Sequence, residues 1–229
     1  MNPFIKLNKI NKYYRTGKVK NQVLADFSYE FKEHCFAILA GPSGSGKSTL
    51  LNILATLDKP DSGTYLFKDS KVDFEKERSL IELRKNNFGF VFQSFNLMPV
   101  LTALENVELP LTLFNYTRKE QTGRARHMLE LVGLKDKENR KPGELSGGEQ
   151  QRVAIARAIV TNPGVIFADE PTANLDKRNT EHIIRLMREL NTQTGMSFII
   201  ASHDPKVIEA GKEVLRIGEN CFYTKISLI

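Results

Sequence analysis

The residues best suited to chemistry lie in Gly41-Pro42-Ser43-Gly44-Ser45-Gly46-Lys47-Ser48-Thr49. Their spacing fits G-x-x-x-x-G-K-[ST], the P-loop, whose backbone N–H groups cradle phosphates. Glycines let the backbone wrap closely round such a chain. Lys47 would reach the β- and γ-phosphates of a nucleotide, and the Ser48 hydroxyl would bind Mg²⁺. The flanks agree with this reading. Phe36-Ala37-Ile38-Leu39-Ala40 is an apolar run of strand length, and the stretch from Ser48 through Leu50, Leu51, Ile53 and Leu54 reads as a helix. The N-terminus of that helix adds a partial positive charge beside the phosphates.

Further polar residues stand at the ends of apolar strands, where ligands gather in α/β sheets. Phe88-Gly89-Phe90-Val91-Phe92 ends in Gln93, which can donate to a phosphate-bound water or hold Mg²⁺ through its carbonyl. Val165-Ile166-Phe167-Ala168 delivers Asp169 and Glu170. In P-loop proteins an acid at that place holds Mg²⁺. A second acid beside it can take a proton from an attacking water. Met196 to Ala201 ends in Ser202-His203-Asp204, which puts His203 on the same edge, within reach of a γ-phosphate.

Leu145-Ser146-Gly147-Gly148-Glu149-Gln150-Gln151-Arg152 has two compatible readings. Ser146 and Glu149 form a capping box ahead of a helix over Val153 to Val160. The paired glycines also bare backbone N–H groups at a helix start, which with the serine hydroxyl makes a phosphate grip.

The supporting elements follow in order. Ile5 to Ile10 alternates as a strand, Arg15 to Gln22 reads as a basic polar loop, and Val23, Ala25, Phe27, Tyr29 and Phe31 share one strand face. This antiparallel layer offers a surface to an adenine ring. Tyr14 can stack on that ring or simply pack half-buried, and Tyr13 is open to the same role. Asp58 to Gly63 is a turn cluster, Thr64 to Phe67 a strand, and Phe74 to Asn86 a surface helix. Leu101 to Pro163 is helix-rich and reads as an insertion in an α/β core, with Ala125, Met128, Leu129 and Val132 packing inward.

Composition bounds the class. The chain has 229 residues, 41% hydrophobic and 26% charged, enough for one large domain with a full core. No run approaches the ~20 apolar residues of a membrane span, and Met1 to Lys6 lacks the apolar run of a secretory signal. Cys35 and Cys221 have no metal-ligand spacing and read as free thiols. The net charge of +6 is scattered, so it does not argue for nucleic acid.

Together these motifs resemble the ATPase subunit of an ATP-binding cassette (ABC) transporter, over essentially the whole chain. Leu145-Ser146-Gly147-Gly148-Glu149 is similar to that family's signature and separates it from other P-loop ATPases. The resemblance implies an α/β fold: a P-loop NTPase core of RecA-like sheet and helices, an N-terminal antiparallel β layer and an inserted helical subdomain. The resemblance implies one ATPase domain over residues 1–229, with 1–93 and 162–229 as core and 94–161 as the helical subdomain. It makes Tyr14 the adenine-stacking aromatic, Gln93 the Q-loop glutamine, Asp169 the Mg²⁺ acid, Glu170 the catalytic base and His203 the switch histidine. Asn174-Leu175-Asp176 is similar to the D-loop, which adds Asp176 to the ATP-binding residues.

Phe88 to Pro110 and Leu145 to Ala158 most resemble the MacB, LolD and FtsE group. The resemblance implies an ATP- and Mg²⁺-dependent homodimer, peripheral on the cytoplasmic face of the inner or plasma membrane. There it would drive a separate permease and, through it, extracytoplasmic partners, in lipoprotein release or MacB-like export. An FtsE-like division role is the alternative. A soluble cassette acting on DNA or ribosomes is disfavoured, because the chain has one cassette and no sustained heptads. Two residues depart from the pattern: Glu149 stands where the family often has Gln, and Ala173 where the subgroup often has Gly. Phe95, Leu97, Met98 and Val100 either dock the permease or pack within the helical insertion.

Overall fold

The computed structural model describes residues 4–17, 19–218 and the backbone of 223–227, so Cys221 and Met1 to Pro3 lie outside it. In chain order the elements are β1 (Ile5–Thr16), β2 (Val19–Phe31), β3 (Phe36–Ala40), α1 (Lys47–Leu54), β4 (Ser62–Phe67) and β5 (Ser70–Lys71). There follow α2 (Glu77–Asn87), β6 (Phe88–Val91), α3 (Ala103–Glu108), α4 (Arg118–Leu131), α5 (Gly147–Ile159) and β7 (Val165–Asp169). The chain closes with α6 (Lys177–Thr194), β8 (Ser197–Ser202), α7 (Pro205–Ala210), β9 (Glu213–Ile217) and β10 (Tyr223–Ser227).

Two sheets organise these elements. A four-stranded antiparallel sheet runs β2-β1-β4-β5, and a six-stranded sheet runs β10-β9-β3-β8-β7-β6. In the second sheet every pairing is parallel except β10 with β9. Its central strands are apolar throughout because both faces are covered. The two-residue period of β3 shows this directly. Phe36, Ile38 and Ala40 join the apolar cluster that includes Val107, Leu129 and Ile155 of the helical side, while Ala37 and Leu39 join Leu7, Phe31 and Leu50 beneath the antiparallel sheet. An edge-to-face aromatic chain, Phe67–Phe88–Phe167, ties the two sheets together. The parallel strands share one carboxyl edge, and the loops leaving β3, β6, β7 and β8 carry the P-loop, Gln93, Glu170 and His203.

Three local expectations are corrected. Arg15 to Gln22 is not a polar loop but the end of a hairpin, with Tyr13 opposite Gln22, Tyr14 opposite Asn21 and Arg15 opposite Lys20. An exposed ribbon satisfies its backbone by pairing and needs no apolar face to do so. Val23 and Ala25 do not continue the inward face of β2; Leu24 is buried instead. Asp26, at a left-handed φ of 45°, and the register shifts of the β1–β2 pair switch the faces there. The surface helix begins at Glu77 rather than Phe74.

Helix α5 lies against β6 at Gly89, where a Cβ would stand 2.3 Å from the carbonyl oxygen of Ala158. Gly89→Ala should therefore overpack this contact and cost ~2 kcal/mol of unfolding free energy. Urea denaturation measures it; an unchanged midpoint would mean that α5 moves away freely.

Candidate functional site

The P-loop connects β3 to α1 through Gly46, whose φ of 94° is left-handed and favours glycine. No side chain caps α1, so its first N–H groups stay available to a ligand. Lys47 is 6% exposed, and its Nζ donates to the carbonyls of Gly41 and Pro42, both at 2.9 Å. The Ser45 Oγ is buried inside the loop with no hydrogen-bond partner. A phosphate oxygen would satisfy both that hydroxyl and the ammonium.

The acid pair stands across from the loop. Ser48 Oγ donates to Asp169 Oδ1 at 3.0 Å. Burial pushes the Asp169 carboxyl above its ordinary range, the neighbouring Glu170 charge adds to this, and Ser48 and Lys47 pull the other way. A hydroxyl and a carboxylate in contact are the hard oxygen donors Mg²⁺ prefers, so these residues fit the metal. Glu170 holds a left-handed φ of 45° and donates its N–H to Ala201 O at 2.9 Å. Its Oε1 lies 2.8 Å from His203 Nδ1 and 3.8 Å from Lys47 Nζ.

A cleft of about 420 Å³ gathers Tyr14, Ser43, Gly44, Gly46, Lys47, Ser48, Thr49, Gln93, Glu170 and His203, with Val23 on its wall. Of the two candidate tyrosines, Tyr14 lines this cleft. Its hydroxyl donates to Asp58 Oδ2 at 2.8 Å, and Lys12 Nζ lies 5.1 Å from its ring centre. Burial raises the Tyr14 phenol, and Thr49 opposes the rise. Burial also acts to raise Asp58, but hydrogen bonds from Lys12 and Tyr14 outweigh it and hold the carboxyl below its usual range. Tyr13 does not line the cleft: it accepts from Gln22 Nε2 at 3.1 Å, under Lys20.

Ser146, Gly147, Gly148, Glu149 and Asp176 do not line the cleft of their own chain. The capping box forms, with Ser146 Oγ accepting from Glu149 N–H and the Glu149 carboxylate accepting from Ser146 N–H. Gly148 is buried, and a Cβ there would lie 2.3 Å from Asn179 Oδ1. One glycine of the pair therefore makes room for α6. Asp176 caps α6 by accepting from Asn179 N–H at 2.8 Å. Sequence reasoning missed Asp58 as the anchor of Tyr14 and Val23 as cleft wall; Asn174, named there only within the D-loop, donates its Nδ2 to Gln93 O at 3.0 Å. For Asp58 the signal was its place in the turn after α1; Val23 left none.

Residues 24–173 match the family described as ABC transporter. The chain belongs to the ABC transporter family. It is an ATP-binding cassette, the ATP-binding subunit of a transport complex. An uncharacterized ABC transporter ATP-binding protein of Thermotoga maritima is 45% identical, across 96% of this chain and 93% of its own length. The macrolide export ATP-binding/permease protein MacB of Syntrophobacter fumaroxidans is 43% identical across 94% of this cassette, a match that takes in 30% of that longer protein. The cassette MJ0796 of Methanocaldococcus jannaschii, solved as a dimer in a post-hydrolysis state with ADP and Pi, superposes with a TM-score of 0.90 at 39% identity, covering 98% of this chain and 99% of that one.

The raised Asp169 carboxyl makes a stability prediction. A folded pKa above the unfolded one means that ionised Asp169 destabilises the metal-free cassette, fully above the folded pKa and not at all below the unfolded one. In chelator, Asp169→Asn should raise the melting temperature by a few degrees at pH 7 to 8, with the gain vanishing towards pH 3. A variant that melts lower at pH 7, with the deficit persisting in acid, would contradict the burial assignment.

Proposed function

We propose that this cassette hydrolyses ATP in a site completed by a second copy of itself. The cycle would drive a separate membrane permease in lipoprotein release or MacB-like export. The observation that carries this reading is the division of the machinery. The P-loop, Gln93, Glu170 and His203 share one cleft, while Ser146 and the signature glycines are not among the residues that line it. The dimeric state of MJ0796 supports the second copy, and the likeness to the cassette portion of MacB supports the export assignment.

Tyr14 stacks the adenine ring, and Asp58 holds that tyrosine in place. Lys47 exchanges the Gly41 and Pro42 carbonyls for the β- and γ-phosphates, and Ser45 turns its unpartnered hydroxyl to a phosphate oxygen. Ser48, Asp169 and Gln93 would hold Mg²⁺, which when bound would supply positive charge to offset that of the phosphates. Water attacks the γ-phosphorus, the bond to the β-bridging oxygen breaks, and Glu170 accepts the proton. His203, within hydrogen-bond distance of the Glu170 carboxylate, orients it towards that water.

The facing copy brings Ser146, Gly147, Gly148 and Glu149 to the γ-phosphate, with Asp176 at the seam. ATP then favours the closed pair and hydrolysis releases it, a two-state switch set by differential affinity. Residues 94–161 form the helical unit that carries this signature. The permease bears on the exposed apolar Met98 and Val100, which follow Gln93 in the chain.

Glu170→Gln should bind ATP and turn over ~10³-fold more slowly in a phosphate-release assay. Near-normal turnover would remove Glu170 as the base. Purification from native membranes in mild detergent should recover a few-span membrane protein with a large extracytoplasmic domain. A many-span permease without such a domain would remove the export assignment, and ribosomes or DNA with no membrane protein would remove the permease.

A further inference from the structure

Helix α5 makes two side-chain contacts that the mechanism above does not use. Gln151 is fully buried, and its Nε2 donates to Pro171 O at 2.6 Å. Pro171 directly follows Glu170, whose left-handed backbone must be held from outside. The Gln151 Oε1, in contrast, is buried without a partner. An apolar side chain of that size would avoid an unpartnered acceptor, so fold stability alone does not favour glutamine here.

About 9 Å further along the helix axis, Arg157 reaches the other hydrolytic loop. Its guanidinium donates to Asn96 O at 2.5 Å and to Phe95 O at 2.8 Å. Phe95 and Asn96 are consecutive non-glycine residues with left-handed φ of 59° and 50°. Such a pair is costly unless its surroundings hold it. Charge-assisted bonds from a fixed arginine fork provide that hold, and they shape the turn immediately after Gln93. The helix beneath lies close on β6, because Gly89 admits the Ala158 backbone with no space left for a Cβ.

We infer that Gln151 and Arg157 are positioning residues. Through them α5 sets both Glu170 and Gln93 in the cleft of its own chain. The inference rests on the proposed dimeric hydrolysis. In that setting the same rigid helix offers its N-terminus to the ATP of the facing copy. Contact at Ser146 is thus tied to the hydrolytic groups of the other cleft through two hydrogen-bonded loops and one helix.

The test uses Gln151→Leu, Arg157→Met and Arg157→Lys in the full chain. Turnover, ADP affinity and melting temperature are measured for each beside the wild type and Glu170→Gln. Gln151→Leu and Arg157→Met should each lower kcat about tenfold, with ADP affinity within about twofold and melting within a few degrees. Arg157→Lys, which keeps one charged donor for the carbonyls, should recover a substantial part of the loss. Unchanged kcat in Gln151→Leu and Arg157→Met, against an active wild type, would overturn the inference and leave the hydrolytic reading standing. Parallel loss of kcat, ADP affinity and melting temperature would overturn it in favour of plain structural support. A wild type that releases no phosphate would remove the hydrolytic reading, and the inference with it.

Discussion

One buried ammonium and two carboxylates meet at the carboxyl edge of the parallel sheet, and the rest of the cassette is arranged around that meeting. Lys47 Nζ lies 3.8 Å from Glu170 Oε1, while Asp169 is occupied by Ser48. Close opposite charges attract strongly where water is sparse. A collapsed ion pair would leave the lysine and the acid useless to a ligand. The contact is not exclusive: Lys47 also donates to two backbone carbonyls, and His203 lies beside Glu170. Each group thus has a polar partner besides the other.

That arrangement depends on strands being delivered to one edge in register. Ala40 pairs with Ser202, and Asp169 pairs with Ala201, so the P-loop, the acids and the histidine leave the sheet at the same height. The apolar layers on either side fix this height, since slipping β3 by one residue would exchange its two buried faces. The signature is held by different forces. It sits on a helix end that Ser146 caps and whose second glycine packs against Asn179.

Much of this was legible in the sequence, for a physical reason. Buried parallel strands are continuous apolar runs, and the polar residue that ends each run marks the ligand edge; Gln93, Asp169 and His203 were found in this way. The capping box at Ser146 was legible because its partners are three residues apart. The hairpin over Arg15 to Gln22 was not, because backbone pairing in an exposed ribbon leaves no apolar pattern. The reversal at Leu24 depended on a bulge that no residue type announces. The close packing of Gly148 involves Asn179 on another helix, which the local sequence does not show. Arg157 holds backbone carbonyls, which carry no side-chain signature at all.

In the proposed cycle ATP joins two copies through Lys47 of one and Ser146 of the other. Sedimentation of the Glu170→Gln chain puts this pairing to the test. With Mg-ATP the particle should have twice the 26.0 kDa chain mass, and with ADP the mass of one chain. Adding Ser146→Arg should leave it monomeric in both. A Glu170→Gln chain that stays monomeric in ATP, or a Ser146→Arg variant that pairs as readily as its parent, would contradict the composite site.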